Sequence, residues 1–274
     1  MARRAAVFDI DGTLALMDKT TRTFEALPGA IAAIDACKAA GMAVVAYTNG
    51  TVFHPDHYYA PLAEAGIVIE PGHVMTPAIV AAHGLVKAGH KRVMVVADEG
   101  VRGPVAEAGI EVVAPTPDAG PVDAVLVGLT RSFNVDVIEA AADALWAGAP
   151  LYATSTAPFF ASSKGRMMGI SGAIVAGLTH ATGTKHTLFG KPSVQGLHMV
   201  ADLTGADPRD MVVVGDDPNL ELRMARRGGA RAVGVTTGLN DRAAFGAVEE
   251  AERAHIVLDS LEEFDLATLM EQTA

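Results

Sequence analysis

The chain has little of what is typical of secreted, membrane-bound or nucleic-acid-binding proteins. Its 274 residues include a single cysteine, Cys37, so no internal disulfide can form. A reducing compartment is therefore the expected setting. No apolar run approaches the ~18 residues that are needed to span a bilayer. The amino-terminal segment also lacks the apolar stretch of a signal peptide. We therefore expect a cytoplasmic protein that does not associate with membranes.

Positive charge is also scarce, because the formal net charge is −11 at pH 7 and no Lys/Arg-rich run is present. This balance argues against nucleic acids and anionic lipid surfaces as partners. It does not argue against a small anionic substrate, since one lysine or a metal ion can neutralise such a ligand locally. Hydrophobic residues make up 50% of the chain, which is enough for a substantial core.

Short β-branched runs alternate with Ala-rich helical stretches along the whole chain. Strands are predicted over 5–11, 43–49 and 211–217, for example, and a helix over 29–41. Continuous apolar strands separated by helices predict a parallel sheet that is covered on both faces. The predicted fold class is therefore α/β, with a doubly wound, Rossmann-like parallel sheet. Near the end of the chain, Ser260 and Glu263 predict a capping box for the last helix.

Polar side chains follow three of the predicted strands. In a parallel sheet the carboxyl ends of the strands face one crevice, where ligands bind. The residues at these ends are Asp9 and Asp11, then Thr48 and Asn49, then Asp216 and Asp217, with Lys191 on a nearby turn in "GKPS".

This set of residue types suits chemistry on a phosphate ester. Asp9 and Asp216 can share a Mg²⁺ ion, which prefers oxygen ligands and usually binds one or two carboxylates. Lys191 can neutralise part of the phosphate charge. The Asp9 carboxylate can then attack phosphorus and form an aspartyl-phosphate. Thr48 can donate a hydrogen bond to a phosphate oxygen.

A second carboxylate two residues later suggests proton transfer. The period of two in a strand predicts that Asp11 lies on the same face as Asp9. Asp11 can protonate the leaving oxygen and then activate water, a contribution typically worth ~10²–10⁴ in rate. Gly12 keeps the turn open, so that backbone N–H groups can reach phosphate oxygens.

Four motifs in sequence order resemble those of the haloacid-dehalogenase-like (HAD) hydrolase superfamily. They are "DIDGTL", "VVAYTNG", "GKPS" and "VVVGDDPNLEL". The long insertion between the second and third motifs is similar to that of the class IIA p-nitrophenylphosphatase or NagD-like subgroup, which carries an α/β cap domain of the C2 type. The resemblance implies a HAD core domain over 1–75 and 184–274 and a cap domain over 76–183. It also allows a homodimer through the cap.

The resemblance further implies a Mg²⁺-dependent phosphatase that acts on small phosphorylated metabolites through an aspartyl-phosphate. Transferred motif by motif, it implies the following roles: Asp9 as nucleophile and metal ligand, Asp11 as acid/base with its carbonyl on the metal, Asp216 as the third protein ligand, Thr48 and Lys191 as phosphate-binding catalytic residues, and Gly12, Asn49 and Gly50 as substrate-binding residues.

The sequence departs from the family pattern in places that concern the substrate. Glu221 stands where the family usually has Asp, and Phe53 and Pro55 replace the usual Ser and basic residue after the second motif. The cap loop reads "ATSTAPFFASSKGRMMG", in which Phe159 and Met168 are compatible with an apolar lid. The sequence therefore leaves the identity of the phosphate ester open.

Two alternative functions use the same residues. A phosphotransferase or mutase would pass the phosphoryl group from Asp9 to an acceptor alcohol. A receiver-like protein would store it as a signal, but such domains are about half this length, lack an inserted domain and have no use for an acid/base such as Asp11.

Four other reactive side chains are interpreted as structural. Cys37 lies in an apolar helix and is expected to pack in the core. His54 and His57 have helical spacing but no third metal ligand nearby in the sequence. Asp217 is expected at a helix start.

Overall fold

The computed structural model describes residues 3–18, 21, 23–162 and 165–271. Within those ranges, no helix combines the length and the apolar composition needed to cross a bilayer. The contacts divide the chain into two compact units. The first unit comprises Met1–Thr48, Asp56–Met75 and Leu197–Ala274, and the second comprises Asn49–Pro55 and Thr76–Gly196.

The described strands and helices alternate as the sequence predicts. The strands are β1 (Ala5–Phe8), β2 (Ala15–Met17), β3 (Phe24–Ala26), β4 (Ala43–Tyr47), β5 (Val74–Met75), β6 (Arg92–Val96), β7 (Glu111–Val113), β8 (Ala124–Val127), β9 (Leu151–Ala153), β10 (Phe159–Ser162), β11 (Gly165–Met168), β12 (His186–Leu188), β13 (Met211–Gly215), β14 (Arg231–Val235) and β15 (Ile256–Leu258). The α-helices are α1 (Ala30–Ala39), α2 (Tyr59–Glu64), α3 (Pro77–Lys87), α4 (Glu99–Glu107), α5 (Val135–Trp146), α6 (Ile170–Thr182), α7 (Gln195–Thr204), α8 (Glu221–Gly228), α9 (Arg242–Ala247) and α10 (Leu266–Glu271). Short 3₁₀ turns occur at Pro55–Tyr58, Pro208–Asp210, Glu250–Glu252 and Leu261–Glu263.

The first unit is built on a six-stranded parallel sheet in the order β15-β14-β13-β1-β4-β5. All four residues of β1 and all five of β13 are buried, which explains why these strands are continuously apolar rather than alternating. Strand β1 lies between β13 and β4, so the residues after these three strands emerge at one edge of the sheet. The predicted α/β class is confirmed.

The second unit has its own five-stranded parallel sheet, in the order β12-β9-β8-β6-β7. Apolar faces of α5 and α6 pack on this sheet, with Ala141, Leu145 and Leu178 in the same buried cluster as Val125 and Val127. Strands β10 and β11 form a separate antiparallel pair, with Phe159 opposite Met168. The sequence predicts only an irregular loop in this stretch.

The predicted domain boundaries and the two compact units differ in where two short segments belong. Residues 184–196 lie with the second unit because β12 pairs with β9, His186 opposite Leu151. Residues 49–55 also lie with it, and the backbone of Thr51 packs against α4 so closely that a Cβ on Gly100 would lie 2.3 Å from the Thr51 carbonyl oxygen. The division into core and cap domains stays a prediction.

The last helix begins later than the predicted capping box implies. Ser260 instead starts a single 3₁₀ turn, which ends where Phe264 adopts an extended backbone. Helix α10 follows. Asp265, the residue before it, accepts a hydrogen bond from the Ala267 N–H in its first turn at 3.1 Å. The predicted box for the last helix is therefore wrong, because Phe264 breaks the helical path between Ser260 and that helix.

Candidate active site

Asp9 is the first residue after β1, and Asp11 comes two residues later, so β1 includes neither of them. The Asp9 N–H donates to the Val214 carbonyl at 2.9 Å and so continues the ladder to β13 by one residue. The Asp9 residue is only 6% exposed, whereas Asp11 is exposed. The prediction that both carboxylates lie on one face of a strand is wrong, because the chain turns at Ile10. This turn, rather than strand alternation, sets the separation of the two residues.

The turn after β1 is held by one carbonyl that accepts several N–H groups. The Ile10 carbonyl oxygen accepts hydrogen bonds from Thr13, Leu14 and Ala15 at 2.9–3.3 Å. Gly12 has φ +86°, a left-handed conformation that favours glycine. Its N–H donates to the Ala15 carbonyl at 3.0 Å. The predicted contact between Gly12 and substrate stays a prediction, while its conformational role in the turn is evident.

Asp216 follows the last residue of β13, and its carboxylate lies against the turn after β1. A Cβ on Gly12 would lie 2.7 Å from Asp216 Oδ2, and one on Gly238 would lie 1.8 Å from the same atom. The Leu239 N–H donates to Oδ2 at 3.3 Å. The tertiary structure therefore brings together the first and fourth sequence motifs, which are about 200 residues apart.

A loop that the sequence analysis missed holds both Asp216 and the turn after β1. The Thr237 hydroxyl donates to the Gly12 carbonyl at 2.7 Å, and the Asn240 amide donates to the Asp216 carbonyl at 3.1 Å. These residues belong to "TTGLN", which follows β14. The rule about polar residues at carboxyl ends of parallel strands could have identified them.

Thr48 is the first residue after β4, on the other side of β1. Its N–H donates to the Met75 carbonyl at 3.1 Å, and the residue is only 3% exposed. Burial raises the pKa of Tyr58 to about 12, and the negative charges of Asp11 and Asp9 act in the same direction, whereas a hydrogen bond with the Thr48 side chain acts in the opposite direction.

The second unit contains the remaining predicted site residues: Asn49, Gly50 and Lys191. The Asn49 amide donates to the Lys191 carbonyl at 3.1 Å, and its Oδ1 accepts the Lys191 N–H at 3.0 Å. Lys191 is only 3% exposed, while Asn49 and Gly50 are half-buried. Asn49 thus fixes the main chain of the lysine that the sequence predicts to bind phosphate. The roles of these three residues toward substrate stay predictions.

Glu221 is the first residue of α8, and Asp217 lies four residues before it. The Glu221 carboxylate accepts the Asp217 N–H at 3.2 Å, and the residue is 3% exposed. A Cβ on Gly215 would lie 2.5 Å from the Glu221 side chain, so the glycine provides the space that this side chain occupies. Asp217 accepts the Asn219 N–H at 2.7 Å, in the segment before α8, whose N-cap residue is Leu220. The expected helix-start role of Asp217 stays a prediction.

Cys37 and His54, which we interpret as structural residues, have surroundings that agree with this interpretation. Cys37 is fully buried in α1, and burial raises the pKa of its thiol to about 12. His54 Nε2 lies 2.9 Å from the Glu107 carboxylate within the second unit. In the β10–β11 pair, by contrast, Phe159 and Met168 are exposed.

The donor set in the first unit fits a magnesium ion rather than a metal held wholly by side chains. Over the described ranges, no cluster of three or more His, Cys, Asp or Glu side chains could hold a metal. Magnesium usually takes one or two carboxylates and completes its shell with waters and substrate phosphate. The Asp216 carboxylate, packed beside the turn that carries Asp9 and Asp11, supplies oxygen donors of that kind.

Comparison with protein families gives two matches that follow one another along the chain. The family described as haloacid dehalogenase-like hydrolase matches residues 6–111. A second family, described as HAD-hydrolase-like, matches residues 188–264. The first match contains the turn after β1 and the end of β4, and the second contains Lys191 and Asp216.

Curated proteins and solved structures agree with these matches. A haloacid dehalogenase-like hydrolase domain-containing protein 2 from Bos taurus is 29% identical over 86% of this chain and 85% of its own length. The dihydroxyacetone phosphatase of Corynebacterium glutamicum is 27% identical over 86% of this chain and 82% of its own. The structure of a glycerol phosphate phosphatase from Mycobacterium tuberculosis in complex with calcium has a TM-score of 0.80 and 26% identity, covering 94% of this chain and 73% of that one.

These similarities confirm the family and the enzyme class that the sequence motifs predict, a phosphoric monoester hydrolase of the HAD type. Taken with the parallel sheet and the three aspartates at its edge, they show that the chain belongs to the haloacid dehalogenase-like hydrolases, in their NagD-like p-nitrophenylphosphatase subgroup.

Proposed function

We propose that this protein hydrolyses small-molecule phosphate monoesters in a Mg²⁺-dependent reaction that proceeds through an aspartyl-phosphate on Asp9. The observation that carries the proposal is the close approach of the Asp216 carboxylate to the turn that bears Asp9 and Asp11. Such preorganised charge is what the reaction requires, because hydrolysis of phosphate monoesters is among the slowest uncatalysed reactions.

Asp9 acts as the nucleophile in this proposal. One oxygen of its carboxylate forms a bond to phosphorus while the bond from phosphorus to the ester oxygen breaks. Burial suits this role, since a nucleophile with little solvent around it needs little reorganisation before attack. In the second half of the reaction, water attacks phosphorus, inorganic phosphate leaves, and the Asp9 carboxylate is restored.

In this proposal Asp11 is the general acid of the first step and the general base of the second. It donates a proton to the departing ester oxygen, and its carboxylate then accepts a proton from the attacking water. The exposed position of Asp11 in the turn supports this assignment, because a proton-transfer group must exchange with the leaving group and with water. Gly12, the next residue, has the left-handed conformation with which the turn continues after Asp11.

Thr48 and Lys191 bind the phosphate in the proposal. The Thr48 hydroxyl donates a hydrogen bond to one phosphate oxygen, and its main chain is fixed by the bond to Met75. Lys191 supplies positive charge, and Asn49 holds the main chain of that lysine with two hydrogen bonds. The role of Lys191 rests on its sequence motif.

The carboxylates of Asp9 and Asp216 and the carbonyl of Asp11 would hold the Mg²⁺ ion. The bound ion supplies positive charge that lowers the repulsion between the substrate phosphate and the aspartates. The crystallised glycerol phosphate phosphatase from Mycobacterium tuberculosis, which contains magnesium in one structure and calcium in another, supports the choice of a divalent cation.

The substrate class is a small phosphorylated metabolite. Support comes from relatives that are named for glycerol phosphate, dihydroxyacetone and ribonucleotide monophosphates. Cytoplasmic location and a homodimer through the cap remain part of the proposal as the sequence predicts them. Measuring kcat/KM for several dozen phosphate esters would rank the candidate substrates.

The test replaces Asp9 by asparagine, which preserves its size but removes its nucleophilic charge. We expect Asp9→Asn to lower phosphate release from p-nitrophenyl phosphate by about 10³-fold or more, while circular dichroism stays unchanged. Asp35→Asn, an exposed substitution on α1, is the matched control and should retain full activity. A folded Asp9→Asn protein with wild-type turnover would falsify the assignment, and transfer of phosphate to added alcohols would favour a phosphotransferase.

A further inference from the structure

We propose that the second unit contains a binding site for an α-amino acid with an apolar side chain. The site is a cavity of about 410 Å³ at the carboxyl ends of β6 and β8, and residues of α4 and α5 complete its wall. Its volume lies within the range of small-molecule sites in proteins. The proposed phosphatase reaction uses none of the residues that line it.

The strand order of the second unit places a topological switch point at this cavity. From β6 the chain passes through α4 to β7 on one side, whereas from β8 it passes through α5 to β9 on the other side. Because such parallel crossovers are right-handed, α4 and α5 lie on opposite faces of the sheet. Ligands of open α/β sheets bind in the crevice that this arrangement leaves at the carboxyl ends of the strands.

The cavity is open because β7 is shorter than its neighbour β6. Strand β7 ends at Val113, opposite Met94, whereas β6 continues to Val96. At this uncovered edge the Val95 carbonyl accepts a hydrogen bond of 3.4 Å from Arg102 Nη1. A bond of this length is weak, so a donor group of a ligand can replace it.

The charged groups of the cavity are one cation and two anions: Arg102, Asp98 and Glu99. The Asp98 carboxylate accepts the Thr130 hydroxyl at 2.9 Å and the Arg131 N–H at 3.3 Å, and it does not cap α4. Asp98 is thereby fixed to the loop after β8. Among the residues that the structure describes, Arg102 has no ion-pair partner, so its guanidinium can bind an anionic group.

These groups suit a zwitterion. A carboxylate can accept two parallel N–H bonds from Arg102, and an ammonium group can donate to the Asp98 carboxylate and the Val95 carbonyl. Pro115 and Val137 supply an apolar wall, which favours a hydrocarbon side chain. A doubly charged phosphate ester is disfavoured, because the two acidic residues leave the cavity with negative formal charge in a chain of net charge −11.

The first experiment uses the wild-type protein. Calorimetry with valine, leucine, methionine and phenylalanine should detect binding of at least one of them with a Kd below about 10 mM. Its N-acetyl derivative, which lacks the ammonium group, and its amide, which lacks the carboxylate, should each bind about tenfold more weakly or worse. Saturating inorganic phosphate should leave the Kd unchanged. No binding of any of the four, equal binding of the derivatives, or competition by phosphate would overturn the proposal.

The second experiment locates the site. Arg102→Gln removes the cation and should weaken binding of the same amino acid about tenfold or more. Arg131→Gln is the matched control, since this exposed arginine does not line the cavity, and its Kd should stay within about twofold of wild type. Val137→Phe fills the cavity from α5 without changing a charge, so it tests the site even if Arg102→Gln fails to fold. An unchanged Kd in either folded variant, checked by circular dichroism, would refute the assignment.

Discussion

Gly12 meets two separate demands, one from its own backbone and one from a distant carboxylate. Its φ of +86° places it in the left-handed region. A Cβ at this position would lie 2.7 Å from Asp216 Oδ2, so the missing Cβ leaves room for that carboxylate. Any side chain here would strain the turn and displace Asp216 from it. The sequence motif identifies Gly12 as special for the first reason only, because the second depends on a residue about 200 positions away.

We predict that Gly12→Ala loses activity as well as stability. The left-handed backbone costs an alanine about 1–2 kcal/mol, and the added methyl group would displace Asp216. Gly41→Ala is the matched control: its φ is +72°, but nothing lies within 4 Å of the added Cβ. Urea unfolding should therefore show a similar intrinsic loss in both variants, whereas only Gly12→Ala should lower kcat/KM and raise the Mg²⁺ concentration for half-maximal activity. Full activity in Gly12→Ala would contradict the close approach of Asp216.

Some functional residues can be recognised from a local sequence pattern, and others cannot. Asp9, Thr48 and Asp216 can be predicted because each follows an apolar strand whose end can be recognised locally. Gly238 has no such local pattern. Its importance comes from the Asp216 carboxylate, which folding places beside it.

At the scale of elements, α3 illustrates how packing overrides helix propensity. Gly84 stands inside this helix, where alanine is normally preferred by about 1 kcal/mol. A Cβ at this position would lie 2.2 Å from the Phe189 ring. That ring is buried and stacks on Tyr152, with centroids 5.2 Å apart, so it has little freedom to move away.

We therefore predict that Gly84→Ala destabilises the protein by about 1–3 kcal/mol, the usual range for overpacking. Gly177→Ala in α6 is the matched control, because nothing lies within 4 Å of its added methyl group. That variant should raise stability by about 0.5–1 kcal/mol through helix propensity. Denaturant unfolding should therefore show a lower free energy of unfolding for Gly84→Ala and a higher one for Gly177→Ala. A stabilised Gly84→Ala protein would show that the Phe189 ring yields easily.

Element boundaries were less predictable than element types. The alternation of strands and helices was confirmed, since buried parallel strands and amphipathic helices have distinct patterns. The start of the last helix was not, because a capping signal at Ser260 is followed by an extended residue, Phe264, that ends the turn. The β10–β11 pair was also missed, since two four-residue strands leave only a weak pattern in the sequence.

At the scale of the whole molecule, the excess of acidic residues links the fold to the proposed metal. The net charge of −11 at pH 7 already disfavours the compact state through self-repulsion. Carboxylates gathered at one sheet edge add to this repulsion locally. A cation that binds the folded chain and not the unfolded one therefore stabilises the native state by mass action.

We predict that Mg²⁺ raises the thermal midpoint and that EDTA reverses the change. At a free concentration of 100 times Kd, the added stability is about 2.7 kcal/mol. Asp216→Asn should abolish most of this shift, while Asp35→Asn on α1 should retain it. The measurement needs no turnover, so it tests the metal site independently of activity. An equal shift in wild type and Asp216→Asn would remove Asp216 from the site.

The sequence by itself determined the α/β class, the parallel arrangement of the strands in the main sheet and the order of the four motifs. These follow from local patterns of apolar residues, turns and charges, each of which can be recognised within ten or so neighbouring residues. Only the tertiary structure decided that Asp216 lies against Gly12 and that Thr237 and Asn240 secure this arrangement. The physical reason is that such contacts depend on strand order and turn geometry over long sequence separations, for which a single sequence carries no local signal.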